Sequence, residues 1–116
     1  MSIPRSGNPN WGVHPGEILS EEFLIPLNMK PAQLARELHV SAPTVNEIVR
    51  QHKAITADMA VRLARFFDTT EQFWLNLQNA YELSLSRKRL AGKLKTIKPY
   101  AKEAAATIAA VSTVGR

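Results

Sequence analysis

From His14 onward, apolar residues recur at helical spacing in short runs separated by proline, polar or hydroxyl-bearing breaks. Pro15 suits the first turn of a helix, and Ile18, Leu19, Phe23 and Leu24 form one apolar face before Pro26, which predicts a helix over about 15–25. Pro31 opens a second helix with Leu34, Ala35 and Leu38 inward. After His39-Val40, the hydroxyl of Ser41 is placed to cap a third helix carrying Val45, Ile48 and Val49. Thr56 followed by Ala57-Asp58-Met59 starts a fourth, on which Met59, Ala60, Leu63, Ala64 and Phe67 share a face. Thr69 is predicted to cap a long fifth helix over about 70–88, with Gln72 completing a capping box. On that helix Phe73, Trp74, Leu77, Ala80, Tyr81 and Leu85 occupy one broad arc. Leu75 and Leu83 fall outside it, either as singly exposed leucines or as a second apolar face for a partner. No segment alternates as a strand would, so the pattern predicts an all-α chain.

The ends differ from this middle. Residues 1–13 lack periodicity and read as a flexible arm, 14–89 as the domain, and 90–116 as a basic and then alanine-rich tail. Gly92 and Pro99 interrupt that tail, and a marginal helix over about 100–111 is expected within it. One domain is what 116 residues accommodate. The chain has no cysteine, no apolar run of signal-peptide type and no membrane span, so a soluble, cytoplasmic protein is expected. The net charge of +5 is unevenly placed: residues 1–86 carry seven Lys/Arg and nine Asp/Glu, for −2, and residues 87–116 eight and one, for +7. Overall basicity therefore says little about the domain, and any DNA-binding argument must come from its motif.

Residues 31–50 have the internal logic of a helix-turn-helix. Leu34 and Leu38 face inward, Ala35 is small at the crossing, Val40 plugs the turn, and Val45 and Ile48 anchor the second helix. With that helix in a major groove, the candidate DNA-binding residues are Ser41, Ala42, Pro43, Thr44, Asn46, Glu47, Arg50 and Lys53. Asn46 can pair with adenine or a phosphate, Glu47 can accept from cytosine N4, and Ala42 and Pro43 can meet a thymine methyl. Ser41 and Thr44 suit phosphate oxygens, and Arg50 and Lys53 the backbone. For Glu47, an i,i+3 pair with Arg50 is the competing role. A single module of this size makes few phosphate contacts, which implies a homodimer reading two half-sites; Leu75 or Leu83 can supply its surface.

An enzyme must assemble a catalytic group, and nothing here does: the histidines lie at 14, 39 and 52 and the carboxylates are scattered. His14 with Glu17 or Glu21 at helical spacing lacks a paired-histidine metal motif, and its place at a helix start favours a structural role. No Gly-rich phosphate loop is present, so no cofactor, metal or small-molecule substrate is expected.

Three blocks, His14-Pro15-Gly16-Glu17-Ile18-Leu19, the stretch Ile55 to Arg65, and Phe73-Trp74-Leu75-Asn76-Leu77-Gln78 followed by Tyr81-Glu82-Leu83, resemble the HigA-type antitoxins of the phage-repressor-like helix-turn-helix group. The resemblance covers about 14–85. It implies a dimeric, lambda-repressor-like five-helix domain that binds its own operator and holds a HigB toxin, an mRNA-cleaving enzyme of the RelE type, inactive. Where that family has glycine at helix ends, this chain has Asn28, His39, Gln51 and Asp68, of which Gln is the least suited to a left-handed backbone. Two alternatives stand beside the antitoxin: a stand-alone regulator without a toxin, and a protein or RNA interaction module acting through the basic tail.

Overall fold

The computed structural model describes residues 12–100, which hold five helices and no strand. The first, α1, is α-helical over Pro15–Ile18 and continues over Leu19–Leu24 with wider i→i−5 bonding, as in Ile25 N–H to the Ser20 carbonyl at 2.9 Å. The widening leads into Pro26, which has no N–H for an ordinary bond and crowds the carbonyl four residues back. The helix ends at Leu24, just before Pro26 as expected, and a turn carries the chain on, with Leu27 N–H on the Phe23 carbonyl at 3.1 Å. The others are α2 (Pro31–Leu38), α3 (Ala42–Val49), α4 (Ala57–Phe67) and α5 (Glu71–Leu94).

Local chemistry accounts for most of these bounds. Ser41 Oγ accepts from Thr44 N–H at 3.4 Å and Thr56 Oγ1 from Met59 N–H at 3.2 Å, satisfying amides that a helix start leaves without partners. At α5 the expected cap moves by one residue. Thr70 Oγ1 accepts from Phe73 N–H at 3.0 Å, while Thr69 Oγ1 accepts from the Trp74 indole at 2.8 Å. Gln72 then bonds Asn76 rather than closing a capping box. The helix also runs through Gly92 to Leu94, beyond the expected end near 88.

A non-glycine residue in left-handed backbone follows each of α1 to α4: Asn28, His39, Gln51 and Asp68, with φ of 53, 60, 68 and 57°. After each, an amide reaches back five residues: Met29 to Leu24, Val40 to Ala35, His52 to Glu47 and Thr69 to Ala64, at 2.8–3.1 Å. This is the Schellman arrangement, which occupies carbonyls that a helix end leaves open.

The core holds Ile18, Leu19, Leu34, Ala35, Val45, Ile48, Ala60 and Leu63 at 2% exposure or less, and Trp74 at its α5 side. Phe23, Phe67 and Trp74 bring α1, α4 and α5 together, with ring centroids 4.7 Å (Phe23 to Phe67) and 5.0 Å (Phe23 to Trp74) apart. Leu85, expected on the inward arc, is 43% exposed, and Gln78 is buried in that arc instead. The chain divides into two compact units, Met1–Ser86 and Arg87–Arg116. In the second, Thr96 closes the turn after α5 by bonding the Lys93 carbonyl. Of the predicted arm, Val13 packs against the core, while residues 1–11 and the helix expected over 100–111, past Tyr100, lie outside the described residues.

Candidate nucleic-acid interface

Helices α2 and α3 pack closely on each other, and Val40 in the turn between them packs against the core. The C-terminal end of α2 is tied from α4: Arg62 Nη1 donates to the Leu38 carbonyl at 2.7 Å while its Nε donates to Asp58 at 2.9 Å. With Val45 and Ile48 fully buried, helical geometry turns the other side of α3 outward. Ser41, Pro43 and Arg50 are exposed along it, and Lys53 is exposed in the turn that follows. Thr44, Asn46 and Glu47 are half-buried, and Ala42 is half-buried against the core. The Ser41 and Thr44 hydroxyls lie 2.8 Å apart and bond each other. Glu47 pairs with His52 at 3.4 Å in place of the i,i+3 pair with Arg50. Arg50 thus stands outside that pair, at the end of the exposed face.

The two leucines set aside on α5 part company. Leu75 is half-buried and packs on the core, whereas Leu83 is 50% exposed, with Leu85 two residues on. Among the described residues no cluster of His, Asp and Glu is arranged to hold a metal ion, and no helix is long and apolar enough to cross a membrane.

A family model described as helix-turn-helix matches residues 21–74. Virulence-associated protein I of Dichelobacter nodosus is 49% identical over 88 residues, covering 76% of this chain and 82% of that protein. Antitoxin HigA-1 of Vibrio cholerae is 36% identical over 84 residues, covering 72% and 79%. Among solved structures, the Pseudomonas aeruginosa antitoxin HigA with the higBA promoter superposes with a TM-score of 0.75 at 50% identity, covering 78% of this chain and 99% of that one. The chain belongs to the helix-turn-helix family of HigA-type antitoxins.

In this HigA-type chain two buried polar residues, His14 and Gln78, hold the surroundings of α3. His14 is 4% exposed and caps α1 through Nδ1, which accepts from Gly16 N–H at 2.8 Å. Burial lowers its pKa below the ordinary 6.5, opposed by a hydrogen bond to the Lys53 backbone. That bond favours the charged ring, so the second ring nitrogen donates to the carbonyl. Gln78, 5% exposed, is a polar member of an apolar arc to which the sequence pattern assigns no role. Its Oε1 accepts from Ile55 N–H at 2.8 Å and its Nε2 donates to Glu82 at 2.7 Å. A glutamine amid inward residues, facing a loop that needs an acceptor, was the available signal.

Proposed function

We propose that this chain is a sequence-specific DNA-binding antitoxin that represses its own operon and neutralises a HigB/RelE-type mRNA-cleaving toxin. The observation that carries the DNA half is α3, whose fully buried Val45 and Ile48 aim Ser41, Pro43, Asn46 and Arg50 outward and leave Lys53 exposed in the turn beyond. In a major groove Asn46 reads adenine, Ala42 and Pro43 meet a thymine methyl, Glu47 reads a cytosine amino group from its pair with His52, and Ser41, Thr44, Arg50 and Lys53 hold phosphates. Two copies reading half-sites about 34 Å apart complete the operator. Leu83 on α5, exposed where Leu75 is not, is the side chain we assign to that self-association. The toxin half is supported by membership of the HigA-type family.

The test is a duplex-binding assay with the DNA upstream of the protein's own gene, using wild type, a truncation after residue 89, and Asn46→Ala combined with Arg50→Ala. Wild type and truncation should prefer that DNA over random duplex by on the order of 10³, and the double variant should lose the preference. Preference that vanishes with the tail would overturn the helix-turn-helix reading in favour of a basic-tail interaction module. Co-purification of a RelE-type protein encoded beside it, with its RNA cleavage blocked, tests the toxin half. Cleavage that persists in the complex would leave a stand-alone regulator.

A further inference from the structure

The His14-Pro15-Gly16 block is wholly buried and touches no nucleic acid in the reading above. It lies instead against the C-terminal end of the recognition helix. A Cβ added to Gly16 would overlap the Ile48 carbonyl oxygen and stand 2.9 Å from the Ile48 carbonyl carbon, so only glycine lets α1 seat on the backbone of α3 there. The two ring nitrogens of His14 then divide the work. Nδ1 caps α1 at Gly16, and the far edge of the ring shares one groove with Gln51, His52 and Lys53, where it is bonded to the Lys53 backbone in the turn after α3. The ring edge rests on Tyr81, with centroids 4.8 Å apart and planes at 69°.

That turn needs an external hold. Residues 51–54 are all exposed, and Gln51 is left-handed at φ 68°. The loop is held at two backbone points by buried side chains from outside the helix-turn-helix: Lys53 by His14 of the α1 cap, and Ile55 by Gln78 of α5. The first of these lies in the same residue whose side chain is assigned to a phosphate.

We infer that His14 is a positioning residue for operator binding: its second ring nitrogen fixes the turn that presents Lys53 to a phosphate, while Gly16 seats α1 on the end of the recognition helix. The inference rests on the DNA contacts proposed above. It separates His14's two bonds, because Asn places its Oδ1 where Nδ1 stands and keeps the cap, whereas Gln places its Nε2 where the far ring nitrogen stands and keeps the bond to Lys53.

The experiment measures operator-duplex affinity of the full chain from 50 to 200 mM salt for wild type, Lys53→Ala, His14→Asn and His14→Gln, below their melting temperatures. Each lost phosphate contact lowers the slope of log K against log salt by about 1 per protomer. Lys53→Ala should show that loss. His14→Asn should show it too, with affinity weaker by on the order of tenfold, and His14→Gln should keep the wild-type slope. A merely structural cap predicts the opposite ranking in stability and no change of slope in either variant. A wild-type slope in His14→Asn beside a reduced one in Lys53→Ala overturns the positioning role alone. An unchanged slope in Lys53→Ala overturns the phosphate contact and the inference with it. Should His14→Asn not fold, His14→Ser takes its place, since its hydroxyl can cap α1 while the far nitrogen is lost: a reduced slope supports the inference and a wild-type slope overturns it.

Discussion

Gln51→Gly should stabilise the protein. Gln51 sits at φ 68° at the end of α3, with His52 N–H bonded to the Glu47 carbonyl at 2.8 Å and its own N–H to Ile48 at 2.9 Å, so its backbone is committed to the left-handed region. A non-glycine residue there pays about 1–2 kcal/mol for the crowding of its Cβ against the following carbonyl. Glycine removes that strain but gives back about 0.5–1 kcal/mol through the greater freedom of the unfolded chain. The net gain is about 0.5–1 kcal/mol, which for a domain of this size raises Tm by about 2–8 °C. Thermal unfolding followed by circular dichroism measures it, with Gln51→Ala as the control, since alanine keeps a Cβ and should gain nothing. The same change at Asn28 or Asp68 should gain less, because Asn and Asp are the side chains that tolerate this conformation best. Equal gains from glycine and alanine at 51 would place the effect in the lost side chain and refute the backbone argument.

Three further outcomes follow from the same structure. Gly16→Ala forces a Cβ onto the Ile48 carbonyl, a backbone group that cannot swing aside, and should cost about 2–3 kcal/mol in chemical denaturation; a cost under about 0.5 kcal/mol would mean the α1–α3 crossing adjusts freely. Gln78→Leu leaves the Ile55 amide buried without an acceptor and should cost about 1–3 kcal/mol, with faster amide exchange at Ile55; wild-type exchange there would show that another group takes its place. Because burial holds the His14 pKa below 6.5, the unfolded chain takes up the proton first, so stability is complete above pH 6.5 and falls as pH drops from there toward the folded pKa, with a limiting slope of about 1.4 kcal/mol per pH unit. Tyr81, Glu82, His52 and Lys53 line the same groove, so the contribution of His14 is isolated by comparing Tm at pH 7 and pH 5 with that of His14→Asn; an equal loss in the variant would show that His14 is not the source of the effect.

What was legible in the sequence is what short-range periodicity determines. The inward residues of α2 and α3 lie within fifteen positions of one another, and once Leu34, Leu38, Val45 and Ile48 are buried, the outward face follows from 3.6 residues per turn. The left-handed helix ends were legible in part: Asn28, His39 and Asp68 are residue types that tolerate that backbone, whereas Gln51 adopts it with no such aptitude. The α5 cap was misplaced by one residue because two adjacent threonines offer the same hydroxyl. The choice went to Thr70 once Thr69 accepted the Trp74 indole. Leu85 was misread because periodicity gives a direction while burial needs something to pack against, and along α5 that cover is finite.

The support of the interface was hidden for a stronger reason. His14 meets Lys53 across 39 positions, and Gln78 meets Ile55 across 23, so neither partner can be named from the spacing of either element. Both side chains look like flaws when read locally, one a histidine at a helix start and the other a glutamine in an apolar arc. A buried polar group persists only where it is satisfied, and here each is satisfied by the backbone of the loop that follows the recognition helix. The two local irregularities therefore mark one shared requirement: a short exposed turn, strained at Gln51, held in place by residues outside the motif it serves.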